Sequence, residues 1–341
     1  MVPEASRSAD GSSRSAAGTV PAVTVAAGAA PLAAVVRSGV VESVHHGHLA
    51  VLGPDGEPVH ALGDPHAVVF PRSSLKPVQA VAMLRSGLDL DDALLALACA
   101  SHSGEQRHLD GARAILAGAG LTEAALQNTP DHPLDAAASL AWRSAGHGPT
   151  SLTQNCSGKH AAMLATCVAA GWDTRSYLDP DHPLQRAVAA AVAELTGDPV
   201  TPVAVDGCGA PLFSCTVAGL ARAAGRVAAA GAAGDQGPPG RVARAMSAFP
   251  EFVGGTGRDV TLLMAGVPGL VAKDGAEGVY VAGLPDGSAV ALKVLDGSQR
   301  PRPVVIAAAL RRLGVDAAVL AEVGDVPVLG HGRPVGRVEA L

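Results

Sequence analysis

The order of β-prone and helix-prone segments predicts a mixed α/β fold of the α+β type, with an antiparallel sheet built from the N- and C-terminal parts of the chain and helices packed on it. Short β-prone runs fill residues 33–62 and return over residues 269–294, and helical patterns occupy the region between. The 341 residues are 48% hydrophobic but only 2% aromatic, so Ala, Val and Leu must build the core. Such small side chains suit helices that lie close to a sheet.

The first strands are predicted from β-prone runs at 33–36, 40–44, 49–52 and 59–62. A hairpin turn is expected at Gly53-Pro54-Asp55-Gly56. The last strands are predicted at 269–273, 278–284 and 288–294, and Pro285-Asp286-Gly287 marks a second hairpin turn.

Apolar residues recur at a helical period from Ser74 to Gly87, which places Lys76 on the first turn of a helix and Ser73 at its N-terminus. A second helix is predicted at 91–100, and it runs into a polar turn at 101–105. Further helices are predicted at 109–119, 159–170, 183–196 and 212–224. The Ala-, Gly- and Pro-rich stretch 228–240 is expected to be a surface loop.

The chain is expected to form one catalytic domain over residues 31–341, preceded by a disordered tail over residues 1–30. That tail mixes charged residues with Ala, Gly, Ser and Pro and lacks the apolar core of a secretory signal. No uncharged apolar run of about 18 residues predicts a membrane span. A net charge of -6 does not favour binding to nucleic acid or to an anionic membrane. A small, neutral or anionic partner remains open. Five scattered cysteines favour a reducing compartment, by default the cytoplasm.

Lysine occurs at only four positions, although the chain has 25 Lys plus Arg residues. Arginine stays protonated in proteins, whereas a lysine amine can become neutral and act as a base, a nucleophile or a metal ligand. The retained lysines are therefore candidates for chemistry, although a GC-rich genome that exchanged Lys for Arg would leave the same pattern. The four are Lys76, Lys159, Lys273 and Lys293.

A serine and a lysine one helical turn apart, Ser73 and Lys76, form the spacing of serine–lysine acyl-transfer enzymes. A neutral amine at this position can take the serine proton. An N-cap serine followed by a solvated lysine is the alternative interpretation. Two later elements favour chemistry, because they follow in the order that such enzymes show: the turn Ser101-His102-Ser103 and the strand-borne Lys273-Asp274-Gly275.

Two cysteines, Cys156 and Cys208, lie in glycine-flanked loops that lead into helices. Thiolates there suit zinc, and a neutral Lys159 could join them as an unusual nitrogen ligand. Buried structural cysteines are the alternative, and His160 or Asp206 could bind substrate instead. The glycine-rich segment 254–258 lacks the Lys-Ser/Thr of a P-loop and is expected to be a loop.

At these residues the chain resembles the L-asparaginase II family of bacterial and fungal enzymes, which is unrelated to the threonine-nucleophile asparaginases. The matching segments follow in order over about residues 32–340: 70–77, 99–105, 155–160, 179–183, 206–208 and 254–258. The resemblance implies a fold similar to serine β-lactamases and penicillin-binding proteins. It also implies a hydrolase of linear amides that converts L-asparagine to L-aspartate and ammonia.

The resemblance further implies roles for ten residues of this sequence. Ser73 with Lys76, and Ser101 with Lys273, match two Ser–Lys pairs. Cys156, Lys159 and Cys208 match zinc-binding positions, and zinc is the expected cofactor. Substrate contacts are expected at Arg72, His160 and Asp206.

Several alternatives remain at this stage. Either serine could attack, with Lys76 or Lys273 as general base. A glutaminase or another amide or β-lactam hydrolase could use the same fold, because fold does not fix substrate. A zinc-dependent amino-acid binding protein is the alternative without catalysis, and a homodimer is open.

Overall fold

The computed structural model describes residues 25–341. Residues 1–24 of the predicted tail lie outside the described residues, and the first strand begins at Ala30. The strands are β1 Ala30–Arg37, β2 Val40–Leu52, β3 Pro58–Leu62, β4 Val68–Val69, β5 Val203–Val205, β6 Pro211–Phe213, β7 Cys215–Thr216, β8 Val271–Gly275, β9 Val279–Gly283, β10 Ala289–Val294, β11 Pro327–Gly330 and β12 Arg333–Ala340.

The helices alternate with these strands mainly in the middle of the chain. They are α1 Lys76–Arg85, α2 Asp92–Ala98, α3 Gln106–Gly118, α4 Ala136–Ser144, α5 Ser157–Ala170, α6 Pro183–Thr196, α7 Val217–Ala232, α8 Pro238–Ala248, α9 Pro250–Val253, α10 Asp259–Gly266, α11 Arg302–Arg312 and α12 Val319–Val323. None of the helices in this part of the chain combines the length and the apolar composition that a bilayer crossing demands.

One antiparallel sheet joins the two ends of the described chain. Its strand order is β11-β12-β1-β2-β10-β9-β8, and β3 pairs with β2. The N-terminal strands therefore lie between C-terminal ones: β1 pairs with β12, and β2 pairs with β10. Both predicted hairpins form, between β2 and β3 and between β9 and β10. The predicted antiparallel sheet of terminal segments is confirmed.

Helix α7 lies very close to the sheet, as the small core residues predict. An added Cβ at Gly283 of β9 would stand 2.2 Å from the Ala224 carbonyl oxygen. At Gly225 of α7 an added Cβ would stand 2.2 Å from the Gly287 carbonyl oxygen. Only glycine permits backbones to approach so closely.

Two predicted boundaries were wrong. The helix expected at 212–224 begins only at Val217, because β6 and β7 precede it and Thr216 caps it by accepting from the Gly219 N–H. The loop expected at 228–240 is mostly helix, since α7 continues to Ala232 and α8 starts at Pro238. A run of alanines continues the helix despite its glycine, and proline suits a first helical turn.

Candidate active site

Lys76 is the first residue of α1 and follows a 3-10 turn over Arg72–Leu75. Its side chain is only 1% exposed. The amine donates to Ser101 Oγ at 3.0 Å and to the Ala100 carbonyl, and its nitrogen lies 3.2 Å from Cys156 Sγ. Lys76 therefore connects the serine-rich turn after α2 with the cysteine loop before α5.

Ser73 is half-buried, on the turn before α1. Among the described residues, no hydrogen bond to its hydroxyl is found, and Lys76 bonds to Ser101 rather than to Ser73. Ser73 and Lys76 therefore lie one turn apart at the start of α1, as predicted. The Lys76 amine nevertheless donates to acceptors in another segment, the Ala100 carbonyl and the Ser101 hydroxyl. Ser73 thus keeps an unbonded hydroxyl on a half-buried residue.

Ser101 is 5% exposed and lies in a segment without regular secondary structure. Hydrogen bonds to its backbone N–H and C=O groups hold this segment in place. Its N–H donates to the Val253 carbonyl at 3.1 Å, and its carbonyl accepts from Arg258. The next N–H, that of His102, donates to the Asn155 carbonyl at 3.1 Å. The turn is thus fixed against both the glycine-rich loop and the cysteine loop.

Lys273 is fully buried on β8. Its amine donates to the Asp274 carbonyl at 2.8 Å and to Asp274 Oδ1 at 2.5 Å, and within residues 25–341 no hydrogen bond joins it to Ser101. Burial lowers the pKa of Lys273 to about 8; the charge of Asp274 opposes this shift, while Lys76 and Arg258 add to it. A lysine with this pKa is mostly protonated at neutral pH and becomes neutral as the pH rises above about 8.

Asp274 and Arg258 are site residues that the sequence reasoning missed. Asp274 is 6% exposed and accepts from Lys273 and from Arg258, whose Nη2 lies 2.5 Å from Oδ2. Arg302 Nη1 lies 3.8 Å from the same oxygen. The sequence contained signals that could have indicated both residues. Asp274 directly follows Lys273, and Arg258 ends the glycine-rich segment that was interpreted only as a loop.

Cys156, Lys159 and Cys208 gather in one buried cluster, with exposures of 4%, 2% and 2%. Lys159 Nζ lies 3.2 Å from Cys208 Sγ. The pKa of Cys156 falls well below the ordinary thiol value because the Cys208 thiol donates to its sulfur and because two ammonium groups lie nearby. Burial opposes the charge on Lys159, but the two sulfurs and Asp206 together raise its pKa.

The three residues carry the donor types that zinc takes, but the pKa values of Cys208 and Lys159 are both raised, so each must lose a proton when the metal binds. Zinc takes thiolate sulfur and neutral nitrogen, and two such donors on one tetrahedral ion stand about 3.5 Å apart. The 3.2 Å between the lysine nitrogen and the cysteine sulfur is close to that separation. No three His, Cys, Asp or Glu side chains of residues 25–341 gather as a metal cluster, so a zinc ion here needs the lysine nitrogen as well.

Arg72 and Asp206 form a paired set beside the cysteines. Arg72 Nε donates to Asp206 Oδ1 at 2.6 Å, and Cys208 Sγ lies 3.7 Å from Asp206 Oδ2. Arg72 has a φ of 54°, a left-handed conformation that is uncommon for a residue other than glycine. Such strain persists only where the surroundings hold it, often next to a functional site.

His160 is completely buried at the start of α5. Its Nδ1 lies 2.8 Å from the Tyr177 hydroxyl, while its Nε2 is buried and has no hydrogen-bond partner among residues 25–341. Burial, helped by Lys159 and Lys76, keeps the pKa of His160 well below the ordinary value, so the ring is neutral. The Nε2 atom of His160 can therefore form one further hydrogen bond.

Side-chain contacts link seven of the ten predicted residues, namely Lys76, Ser101, Cys156, Lys159, Cys208, Asp206 and Arg72. Within residues 25–341 no side-chain hydrogen bond joins Ser73, Lys273 or His160 to this set. Lys76 joins the serine turn to the cysteine cluster, and Asp206 joins that cluster to Arg72. Arg72 also lines a cavity of about 330 Å³ together with Phe70 and Lys293. A half-buried hydroxyl, a buried amine and an oppositely charged pair thus lie in adjoining segments of the chain.

A family profile described as L-asparaginase II matches residues 33–340. No curated protein matches the chain. A putative β-lactamase from Bacteroides dorei is similar in structure, with 16% identity and a TM-score of 0.42 over 78% of this chain and 92% of that chain. A β-lactamase from Mycobacterium bovis shows 15% identity and a TM-score of 0.38 over 79% and 95%.

Mglu in its native form shows 14% identity and a TM-score of 0.40 over 77% of this chain. The chain spans only 62% of the length of Mglu. At these scores the structural likenesses are partial, and no conclusion about the reaction rests on them.

Proposed function

The chain belongs to the L-asparaginase II family of amidohydrolases, and on that premise we propose that it hydrolyses the side-chain amide of L-asparagine to L-aspartate and ammonia. One observation carries the proposed mechanism: a buried lysine amine, Lys76, stands 3.0 Å from the Ser101 hydroxyl and one turn from the unengaged hydroxyl of Ser73. A hydroxyl bonded to this amine suits a proton relay, and a free hydroxyl one turn away suits a nucleophile. The five cysteines lie in the described residues without a disulfide, which supports a cytoplasmic location.

Ser73 is the proposed nucleophile. It is half-buried and carries a free hydroxyl, whereas Ser101 is buried and already bonded to Lys76. A nucleophile must be reachable by the substrate, but a proton relay need only lie between the base and the leaving group. This difference in exposure supports Ser73 over Ser101 as the nucleophile.

The reaction balances with the chain's own groups. The Ser73 oxygen bonds to the amide carbon while its proton passes to the Lys76 amine. Lys76 returns a proton through the Ser101 hydroxyl to the amide nitrogen, the C–N bond breaks, and ammonia leaves. Water then attacks the serine ester with the same amine as base, which releases aspartate and the free hydroxyl. Lys273, whose pKa is lowered to about 8, is the alternative base for both transfers.

Arg72 and Asp206 are proposed to bind the backbone groups of the amino acid. A free amino acid carries one carboxylate and one ammonium, and this pair offers the complementary charges 2.6 Å apart. The carboxylate would lie against the Arg72 guanidinium and the ammonium against Asp206, with the free nitrogen of His160 as a further contact. Such contacts select amino-acid amides over plain amides.

Zinc, when bound, would be held by Cys156, Lys159 and Cys208 and would supply fixed positive charge beside the substrate loops. The proposed role of these residues is to keep the Asp206 loop next to the start of α5 and so to set substrate affinity. Every proton transfer above uses side chains of the chain itself.

The test is ammonia release from L-asparagine and L-glutamine by the wild type, Ser73→Ala and Ser86→Ala. Ser86 lies at the other end of α1, and its hydroxyl donates to the Ala82 carbonyl, so this variant controls for the loss of a hydroxyl on the same helix. We expect Ser73→Ala to lose at least about 10³-fold in kcat and Ser86→Ala to retain activity.

Mass spectrometry of acid-quenched wild type should show an aspartyl ester, which is absent from Ser73→Ala. Normal turnover by folded Ser73→Ala would remove this serine from the mechanism. Release from glutamine alone would replace asparagine as the substrate.

A further inference from the structure

The glycine-rich loop Gly254–Arg258 lies along the serine-rich turn over residues 101–105. The N–H and the hydroxyl of Ser103 both donate to the Gly254 carbonyl at 2.9 Å. On the other side, the Thr256 N–H donates to Glu105 Oε1 at 2.7 Å. An added Cβ at Gly255 would stand 2.0 Å from Ser103 Oγ, so the loop fits against the turn with no room to spare.

The side chain of Arg258 leaves this loop and connects two candidate catalytic segments. Its Nη1 donates to the carbonyl of Ser101, and its Nη2 donates to Asp274 Oδ2 at 2.5 Å. A guanidinium holds several donors in one rigid plane, so a single side chain can fix two acceptors at a set separation. Lysine carries the same charge but cannot reproduce that geometry.

Asp274 uses its two oxygens for different partners. Oδ1 accepts from Lys273 at 2.5 Å, and Oδ2 accepts from Arg258. Arg302 is anchored separately, because it donates to the Gly275 carbonyl at 2.6 Å and to the Val279 carbonyl at 3.2 Å. One carboxylate thus links Lys273 on β8 to the arginine that holds Ser101.

We propose that Arg258 and Asp274 are positioning residues, which together set the placement of Lys273 relative to Ser101 without contacting the substrate. The inference rests on the proposed function for its catalytic meaning. Nothing else among the described residues bonds both to the Ser101 backbone and to the carboxylate that holds Lys273. The glycine-rich loop then has a function: it delivers Arg258 and clamps the turn.

The same two residues act on the charge of Lys273 in opposite directions. Asp274 raises the pKa of Lys273 and Arg258 lowers it, within the larger lowering that burial causes. The remaining groups around the pair are Lys76, which lowers the pKa of Lys273, and Arg302, Asp259, Tyr280 and Cys99, which lie around Asp274 and Lys273. Removing either positioning charge must therefore move the titration of Lys273 by a predictable sign.

The experiment is a pH titration of Lys273 by NMR in protein labelled only at lysine, where four residues give four signals. A Lys273→Arg sample assigns the signal. We expect Asp274→Asn to move the midpoint to lower pH and Arg258→Gln to move it to higher pH, each by about one unit or more. Arg107→Gln is the matched control, because Arg107 bonds to Thr256 of the same loop but to neither Ser101 nor Asp274.

Kinetics supply the second readout. Arg258→Lys keeps the charge but loses the bridge, so we expect its Lys273 midpoint to stay near the wild-type value while kcat falls at least tenfold and KM changes less than threefold. Arg107→Gln should keep wild-type kinetics.

A Lys273 midpoint that is the same in Arg258→Gln as in the wild type overturns the inference, even if Asp274→Asn does not fold. If the wild type releases no ammonia, the proposed function fails, and the NMR titration still decides the placement of Lys273.

Discussion

At the scale of single residues, Lys273 is the group whose chemistry depends most on its surroundings. We expect Lys273→Arg to be nearly as inactive as Lys273→Ala, each at least about 10²-fold below the wild type in kcat. Arginine fits the Asp274 carboxylate and keeps the charge, but it does not become neutral to move a proton. Steady-state ammonia release of the two purified variants is the measurement. Substantial activity in Lys273→Arg alone would show that this position supplies only positive charge.

The pH profile of the wild type tests the same residue without a substitution. The pKa of Lys273 is lowered to about 8, so the amine is protonated below that pH and neutral above it. If Lys273 acts as a base, kcat/KM for asparagine must rise as the pH increases through about 8 and level off above it. A profile that is flat between pH 7 and 9 would assign the proton transfer elsewhere.

Residue pairs were harder to predict than residue identities. Ser73 and Lys76 are neighbours in sequence, yet the amine bonds to Ser101, because the Ala100 carbonyl and the Ser101 hydroxyl reach it from another segment. Spacing along a helix reports which side chains are near, not which distant acceptor competes for a donor. The catalytic and substrate roles of the ten residues stay predictions.

At the scale of elements, the cysteine loops predict a metal that joins two segments of the chain. Protein purified without chelator should carry zinc at close to one ion per chain, and Cys208→Ser should lose it. Cys215→Ser is the control, because Cys215 is buried on β7 outside the Cys156–Lys159–Cys208 cluster. Elemental analysis of both variants is the measurement. Zinc retained in Cys208→Ser would return both loop cysteines to a packing role.

The contact between α7 and β9 predicts a stability difference. Gly283→Ala should lower the free energy of unfolding by about 1–3 kcal/mol, because the new methyl meets the Ala224 carbonyl and must push the helix from the sheet. Gly118→Ala is the control, since Gly118 ends α3 with nothing within 4 Å of an added Cβ. It should be neutral or stabilising by up to about 1 kcal/mol. Urea unfolding of both variants provides the comparison, and equal midpoints would contradict it.

A helix with clear capping residues at both ends was predicted with the correct bounds. The loop that was predicted from amino-acid composition alone was wrong. Helix α6 has its predicted bounds, because proline follows the His182 cap and a left-handed Gly197 closes it. The stretch 228–240 misled because glycine and proline count as loop formers, although proline at the start of α8 favours a helix. Strands β11 and β12 were not predicted, although they complete the sheet.

At the scale of the whole molecule, the strand–helix–strand order was sufficient to predict that the two ends of the chain share one sheet. It did so because β-prone segments of one domain must find partners, and the middle of the chain offered few. The order of the segments does not predict how the strands interleave in the sheet, where β2 lies between β1 and β10. That order depends on side-chain packing across more than two hundred residues, which local pattern does not contain.

The interleaving also determines when the protein can fold during its synthesis. While the ribosome is still translating the helical middle, β1 and β2 have emerged but their partners β12 and β10 have not been made. The nascent chain therefore carries open β edges until β10 and β12 have been made, and closing them requires loops of high contact order. Exposed edges of this kind recruit other chains. The full sheet can therefore form only after β10 and β12 have left the ribosome, and until then the free edges of β1 and β2 are sites where a nascent chain can associate with others.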